Sequence, residues 1–345
     1  MKFNTNPRLI VLDGYTVQLE RDLGKAIASD FSDYVIAKMT LSRHDLIAAN
    51  LVDQHSGKNL FILSSDQGAS WKTFYETQRG TIFLYAADDY IFIFKSNEDG
   101  WLVTTYHSRH RHFGEISINL PRFVFPISFS FKKDSLFVNF SSANKAALSF
   151  LVKIKSDVIS VIDHTRHFSR FVEGGRSLIV SSVSHLDREV YDWNLKKSLY
   201  RYRVEKDSSS NVCQSLLCRD SKLLILQLQY SREKNTVLKT QLIDLFEQSL
   251  LSENSNDLQD QKFKGLVKSW YDEDQGRIFF ILDQALSHDH AEMYNSTGFS
   301  QLNIVSFDPN NLHNSFRTDA TFGLDCTRLW WPEVAVEGKS LSLLV

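Results

Sequence analysis

Glycine and proline are scarce: the 345-residue chain holds 14 of one and 5 of the other. That scarcity excludes collagen-like and low-complexity classes. Cysteine is scarcer still. Cys213, Cys218 and Cys326 are an odd number in a large chain, without the density of a disulfide scaffold or the paired spacing of a zinc site. Cys213 and Cys218 sit in an apolar run and read as buried free thiols, which fits a reducing compartment. Long apolar runs are missing too. No stretch approaches the roughly 18 residues of a membrane helix. The run Leu9 to Leu12 stops at Asp13, short of the about 7–15 apolar residues of a signal segment. These features point to a cytoplasmic protein with no membrane partner, although a chain relieved of a signal peptide looks the same. Neither charge dominates: 39 Lys and Arg face 41 Asp and Glu, a formal net charge of -2. No global basic field exists to hold a phosphate backbone, so no nucleic-acid partner is expected.

What is present is apolar and aromatic. Hydrophobic residues make up 43% and phenylalanine alone numbers 25. At about 150 residues per domain the length admits two domains, but β repeats run longer as one unit. Short runs rich in Val, Ile, Phe, Tyr and Thr recur, such as NLFILSS (Asn59–Ser65) and YIFIFK (Tyr90–Lys95), and these read as strands. Helical periodicity is hard to find; the best helix candidate is Arg21–Val35.

Grouped in fours, the strands repeat every 35–55 residues or so, the range of β-propeller blades. The expected blades are 35–76, 79–118, 122–162, 168–204, 211–250 and 264–317. A seventh joins 322–345 to 8–21. There RLIVLD (Arg8–Asp13) and YTVQLER (Tyr15–Arg21) are the outer strands, and CTRLWW (Cys326–Trp331) and SLSLLV (Ser340–Val345) the inner ones. The expectation is an all-β, seven-bladed β-propeller in one domain, closed by N-terminal and C-terminal strands in a shared blade. Closure removes sheet edges that invite aggregation. The rival is a pair of packed β domains, but no Pro- or Gly-rich linker marks a boundary. The segment Leu251–Lys264 reads as a surface loop between blades.

Third strands tend to end in an acidic residue: Asp13, Asp66, Asp157, Asp192, Asp244 and Asp308. Aspartate bonds its own backbone two residues on and so punctuates a turn without glycine. Blade 79–118 lacks it and carries HSRHRHFGE instead. Gly174-Gly175 reads as a hairpin turn.

One motif is sharp. Ser64, Asp66, Gly68, Ser70 and Trp71 fit the pattern Ser-x-Asp-x-Gly-x-Ser/Thr-Trp. This segment resembles the Asp-box, or BNR repeat, of sialidase-like β-propellers. The resemblance implies a structural role at the turn between third and fourth strands, away from the active-site face. It also raises a carbohydrate-active enzyme, sialidase-like or another glycoside hydrolase, with carbohydrate as its partner. The family's early Arg-Ile-Pro signature is absent; Leu120-Pro121-Arg122-Phe123 does not match it. A glycosidase needs two carboxylates across the scissile bond, and sequence alone does not pair the acids. No Gly-x-Ser-x-Gly elbow and no Gly-x-x-x-x-Gly-Lys loop is present.

Two histidine groups stand out. His288-Asp289-His290-Ala291-Glu292, in the insertion Gln284–Gly298, has residue types that suit zinc. No third ligand can be assigned, so no metal and no cofactor are expected. His107-Ser108-Arg109-His110-Arg111-His112 is a basic cluster that reads as an exposed hairpin, or as a contact for an acidic partner or nucleic acid, stronger at low pH. The favoured reading is therefore a non-enzymatic propeller that binds a protein, as an inhibitor, an immunity protein or an assembly adaptor. Its candidate contacts are His288, His290, Tyr294, Phe299, Arg109, His110 and Arg111. The aromatic pair would anchor the interface.

Overall fold

A computed structural model describes residues 7–13, 16–42, 46–121, 123–142, 148–155, 158–164, 166–175, 177–184, 187–204, 212–218, 221–230, 236–257, 263–285, 300–309, 311, 317–324, 333–337 and 340–344. The N-terminus supplies β1 (Arg8–Asp13), β2 (Thr16–Asp22) and the helix α1 (Leu23–Asp30). Blade one follows as β3 (Tyr34–Leu41), β4 (Ile47–Asp53), β5 (Asn59–Ser64) and β6 (Lys72–Thr77). Blade two is β7 (Ile82–Ala87), β8 (Tyr90–Ser96), β9 (Trp101–His107) and β10 (His112–Ile118). Blade three is β11 (Val124–Lys132), β12 (Ser135–Ser142), β13 (Ser149–Lys155) and β14 (Val158–Asp163). Blade four is β15 (His167–Phe171), β16 (Leu178–Ser182), β17 (Asp187–Asp192) and β18 (Lys197–Arg203). Blade five is β19 (Val212–Leu217), β20 (Lys222–Tyr230), β21 (Thr236–Asp244) and β22 (Ser249–Asp257). Blade six is β23 (Phe263–Asp272), β24 (Arg277–Ala285), β25 (Ser300–Phe307) and β26 (Arg317–Leu324). The closing blade takes β27 (Glu333–Glu337) and β28 (Ser340–Leu344) from the C-terminus and sets β28 against β1, in the order β2-β1-β28-β27. Leu9 pairs with Leu344 and Asp13 with Ser340.

The result is the expected seven-bladed β-propeller, closed by the two chain ends. The core explains why the ring closes. Among the described residues the buried apolar side chains fall into seven clusters, one for each pair of neighbouring blades. Each sheet thus buries both faces, and burial of each large side chain contributes roughly 1.5–3 kcal/mol. Between blades two and three the filling is aromatic: Tyr85 stacks on Phe129 with ring centroids 4.7 Å apart, and Phe94 lies 5.3 Å from the same ring. Between blades five and six it is mainly Leu and Phe, with Leu224, Leu226 and Phe280 at its centre.

A second regularity lies in the register. In six blades the outer strand carries one extra residue against the third strand, at Gln18, Phe74, Ile162, Leu199, Leu251 and Asp319. Such a bulge bends the strand and raises its twist. Blade two lacks it.

Three expectations need correction. The inner strand of the closing blade is Glu333–Glu337. The residues 326–331 expected there lie outside the described ones. EVAVE alternates, as a half-buried strand must. The segment 251–264 is not all loop, because β22 runs to Asp257 and β23 starts at Phe263. An outer strand has a free edge and tolerates the polar run SENSND. The helix covers only Leu23–Asp30. The Asp22 carboxylate accepts from Lys25 N to start it, and it buries Leu23 and Ile27 one turn apart.

Candidate functional site

In a blade of four antiparallel strands, the first-to-second and third-to-fourth turns share one face of the ring. The Ser64–Trp71 turn joins β5 to β6, so it lies between third and fourth strands; its side is called here the box face. Ser64 Oγ donates to Asp66 Oδ1 at 2.6 Å and accepts from Gly68 N at 2.8 Å. Ser70 N and Oγ donate to Asp66 Oδ1 and Oδ2 at 2.9 and 2.6 Å. Burial pushes the Asp66 carboxyl up, but these bonds outweigh it and hold the pKa down at about 2. Gln67 and Gly68 both have left-handed backbones, at φ 57° and 80°. A Cβ on Gly68 would sit 2.2 Å from Leu23 Cδ2. Trp71 is buried in the cluster shared by blade one and the closing blade. The five motif residues therefore form one structural unit.

A second turn type recurs on both faces. At Asp53, Asp192, Asp244 and Asp272 the carboxylate accepts the backbone N–H groups two and three residues on. The fourth residue on has positive φ: Gly57, Lys196, Gln248 and Gly276. Blade two uses the same device without aspartate. His107 Nδ1 stands 3.3 Å from Arg109 N and 3.4 Å from His110 N. Arg111 takes the left-handed position at φ 49°, and its N–H bonds His107 O at 2.8 Å. The imidazole replaces the missing acid. Asp157 lies outside the described residues.

The expected contact residues are divided by this arrangement. Arg109, His110 and Arg111 are exposed on the box face, with Arg109 Nε 3.0 Å from Asp89 Oδ1. His288, His290, Tyr294 and Phe299 lie outside the described residues. Their segment leaves β24 at Ala285 and enters β25 at Ser300, strand ends on the opposite face. No group of three or more metal-ligating side chains occurs among the described residues. No helix among them is long and apolar enough to cross a membrane.

The inner strands hold charges that sequence reasoning missed. Lys268 Nζ of blade six reaches Glu173 Oε2, beside blade four, at 2.8 Å. Glu333 Oε2 of the closing blade accepts from Leu41 N of blade one at 2.6 Å. Burial pushes the Glu333 carboxyl up against the Thr40 hydroxyl, Leu41 N–H, Lys38 and Lys268. Burial also lowers Lys38, opposed by Glu333. Lys132 Nζ donates to Gly175 O, between blades three and four. Cys218 is buried, and burial lifts its thiol to about 12, far from a reactive thiolate.

No protein-family model matches the chain, and no curated protein matches it. Solved structures do. The WD40 domain of coronin from Toxoplasma gondii aligns with a TM-score of 0.51 and 8% identity, over 90% of this chain and 82% of that one. Sqt1 from Saccharomyces cerevisiae gives 0.52 and 11%, over 89% and 82%. The tricorn protease gives 0.50 and 13%, over 83% of this chain and 31% of its own. At such identities the likeness is one of fold.

Proposed function

We propose that this chain is a non-enzymatic β-propeller that binds a protein partner, as an inhibitor, an immunity protein or an assembly adaptor. The propeller alone does not choose, since a protease also stands among the similar structures. The supporting observation is the commitment of two acids, Glu173 beyond the end of β15 and Glu333 of β27. Glu173 is held by Lys268, and Glu333 by the Leu41 N–H. A two-carboxylate hydrolase needs acids turned to a sugar on both sides of the bond. Here the acids join blade to blade.

The alternative, a sialidase-like or other glycoside hydrolase, is favoured by one observation: the Ser64–Trp71 turn has the hydrogen bonds that its Asp-box resemblance implies. Affinity purification of the tagged chain from its own cells separates the two. A single protein recovered at constant molar ratio through successive columns is the expected result. Turnover of a fluorogenic glycoside, lost in Glu173→Gln or Glu333→Gln, would overturn it.

A further inference from the structure

The outer strand of blade two differs from the other six in having no bulge. A bulge is one way a sheet protects its edge from pairing with another chain. β10 instead runs straight, His112 to Ile118 against His107 to Trp101, without a register shift. Its free edge can be assigned. Ser108 N donates to Asp89 O at 2.8 Å, so even-numbered residues of β9 bond β8 and odd-numbered ones bond β10. Gly114 and Ile116 are the partners of Thr105 and Val103. The N–H and C=O groups of Phe113, Glu115 and Ser117 therefore point away from the sheet, and no described backbone group bonds them.

The side chains beside this edge form one contact-joined patch. On the face toward blade one, Phe113 is 41% exposed. Its ring centroid lies 4.8 Å from that of Tyr106 and 5.9 Å from that of Tyr75 on β6, and Tyr106 stacks on Phe74 at 4.6 Å. Two residues further on, Glu115 is exposed. Its Oε1 accepts from the Tyr75 and Thr104 hydroxyls, at 3.2 Å each. Its Oε2 has no partner among the described residues, and no described cation pairs with the carboxylate. The other face of β10 holds Gly114. Its backbone is not left-handed, and a Cβ there would meet nothing within 4 Å. Nothing in the chain calls for that glycine; the bare backbone leaves room for a second one.

We propose that the β10 edge is a strand-addition site for an extended segment of a protein partner, with a bulky apolar residue beside Phe113 and a Lys or Arg beside Glu115. This rests on the reading that the chain binds a protein and gives that binding a mode. Outward N–H and C=O groups at every second residue are matched by another extended backbone. On an added strand, the neighbours of Phe113 and Glu115 lie two residues apart and share the blade-one face. There one meets the aromatic rings and the other meets the carboxylate, where a cation is favourable. A second copy of this chain fits less well. Antiparallel self-pairing over the full length of β10 sets Glu115 against Glu115, and like charges directly opposite destabilise a sheet.

The test pans a phage library of random heptapeptides against the immobilised full chain and measures the selected peptides by fluorescence anisotropy. They are expected to carry Phe, Leu or Trp two places from Lys or Arg. Ser117→Pro removes an edge donor and leaves the β9 ladder intact, and affinity should fall about tenfold. Glu115→Lys should weaken the basic peptides about fivefold and strengthen versions with Glu in place of the cation by as much. A merely structural role would not swap that preference, so the charge swap decides if the proline variant unfolds. Methylating alternate backbone nitrogens of a peptide should abolish binding for one set and spare it for the other, because one side of an added strand faces β10. Equal loss from both sets overturns strand addition. Peptides that respond to neither variant overturn the β10 edge as the site and leave the protein-binding reading standing, which copurification tests separately. Failure to select any peptide overturns the proposal, as does dimerisation of the chain that Ser117→Pro abolishes, which gives the edge to a second copy.

Discussion

The guanidinium Nη1 of Arg21 lies 2.7 Å from the carbonyl oxygen of Gln67, and 3.2 Å from that of Asp66. Arg21 is the penultimate residue of the outer strand of the closing blade; Gln67 sits in the turn of blade one. The left-handed backbone at Gln67 and Gly68 turns these carbonyls toward the neighbouring blade. Trp71 and Leu23 are buried in the same inter-blade cluster. The Ser64–Trp71 turn thus braces the joint where the ring is closed by its ends.

Arg21→Ala removes a charged donor from two carbonyls and should destabilise by about 1–2 kcal/mol in urea unfolding. Gly68→Ala meets both a left-handed φ and the fully buried Leu23, and should cost about 2 kcal/mol or more. Equal stability of either variant and the wild type would dissociate the turn from ring closure.

Asp66→Ala should cost about 1–2 kcal/mol at neutral pH through its lost turn bonds. The carboxyl titrates near 2 in the fold against 3.8 in the unfolded chain. Its contribution is therefore full above 3.8 and lost as pH falls from there toward 2. The wild-type-to-variant gap in urea midpoint should shrink over that window. A gap independent of pH would mean the carboxylate charge plays no part.

His107 gives blade two a pH dependence that aspartate would not. Burial lowers its pKa from 6.5, repulsion from His110 and Arg109 adds to this, and Asp89 opposes it. The Tyr90 ring packs 4.6 Å away. A protonated Nδ1 cannot accept the two turn N–H groups. The unfolded chain takes its proton near 6.5 and the fold takes it only at lower pH, so stability falls as pH drops below 6.5. His107→Asp should unfold with a shallower pH slope across that range; an identical slope would exclude the imidazole as the turn's acceptor.

Gln248 is an exposed residue at φ 53° in a turn whose counterparts use Gly57 and Gly276. Gln248→Gly should stabilise by about 1 kcal/mol, by relief of left-handed strain. Calorimetric melting checks the sign, and a lower melting temperature would contradict it.

Much of this architecture was legible because its signals are local. Turn aspartates such as Asp192 and Asp244 mark strand ends by chemistry that acts over three residues. The Ser64–Trp71 motif carries its own turn, and strand alternation lies in short windows. What escaped depends on distant partners. Lys268 meets Glu173 from 95 residues along the chain and Glu333 meets Leu41 from 292, and no spacing announces either. By its sequence His107 belongs to a basic cluster, since nothing local says that an imidazole accepts where an acid normally does. The polar part of β22 from Leu251 to Asp257 reads as loop in the sequence because an outer edge needs no apolar face.

Hydrogen–deuterium exchange of the chain, alone and with its copurified partner, tests surface binding against channel chemistry most directly. The account predicts slowed exchange in exposed turns at the ends of the blades, with β3, β23 and β27 unchanged. Protection confined to those inner strands, where a small substrate would sit, would contradict it.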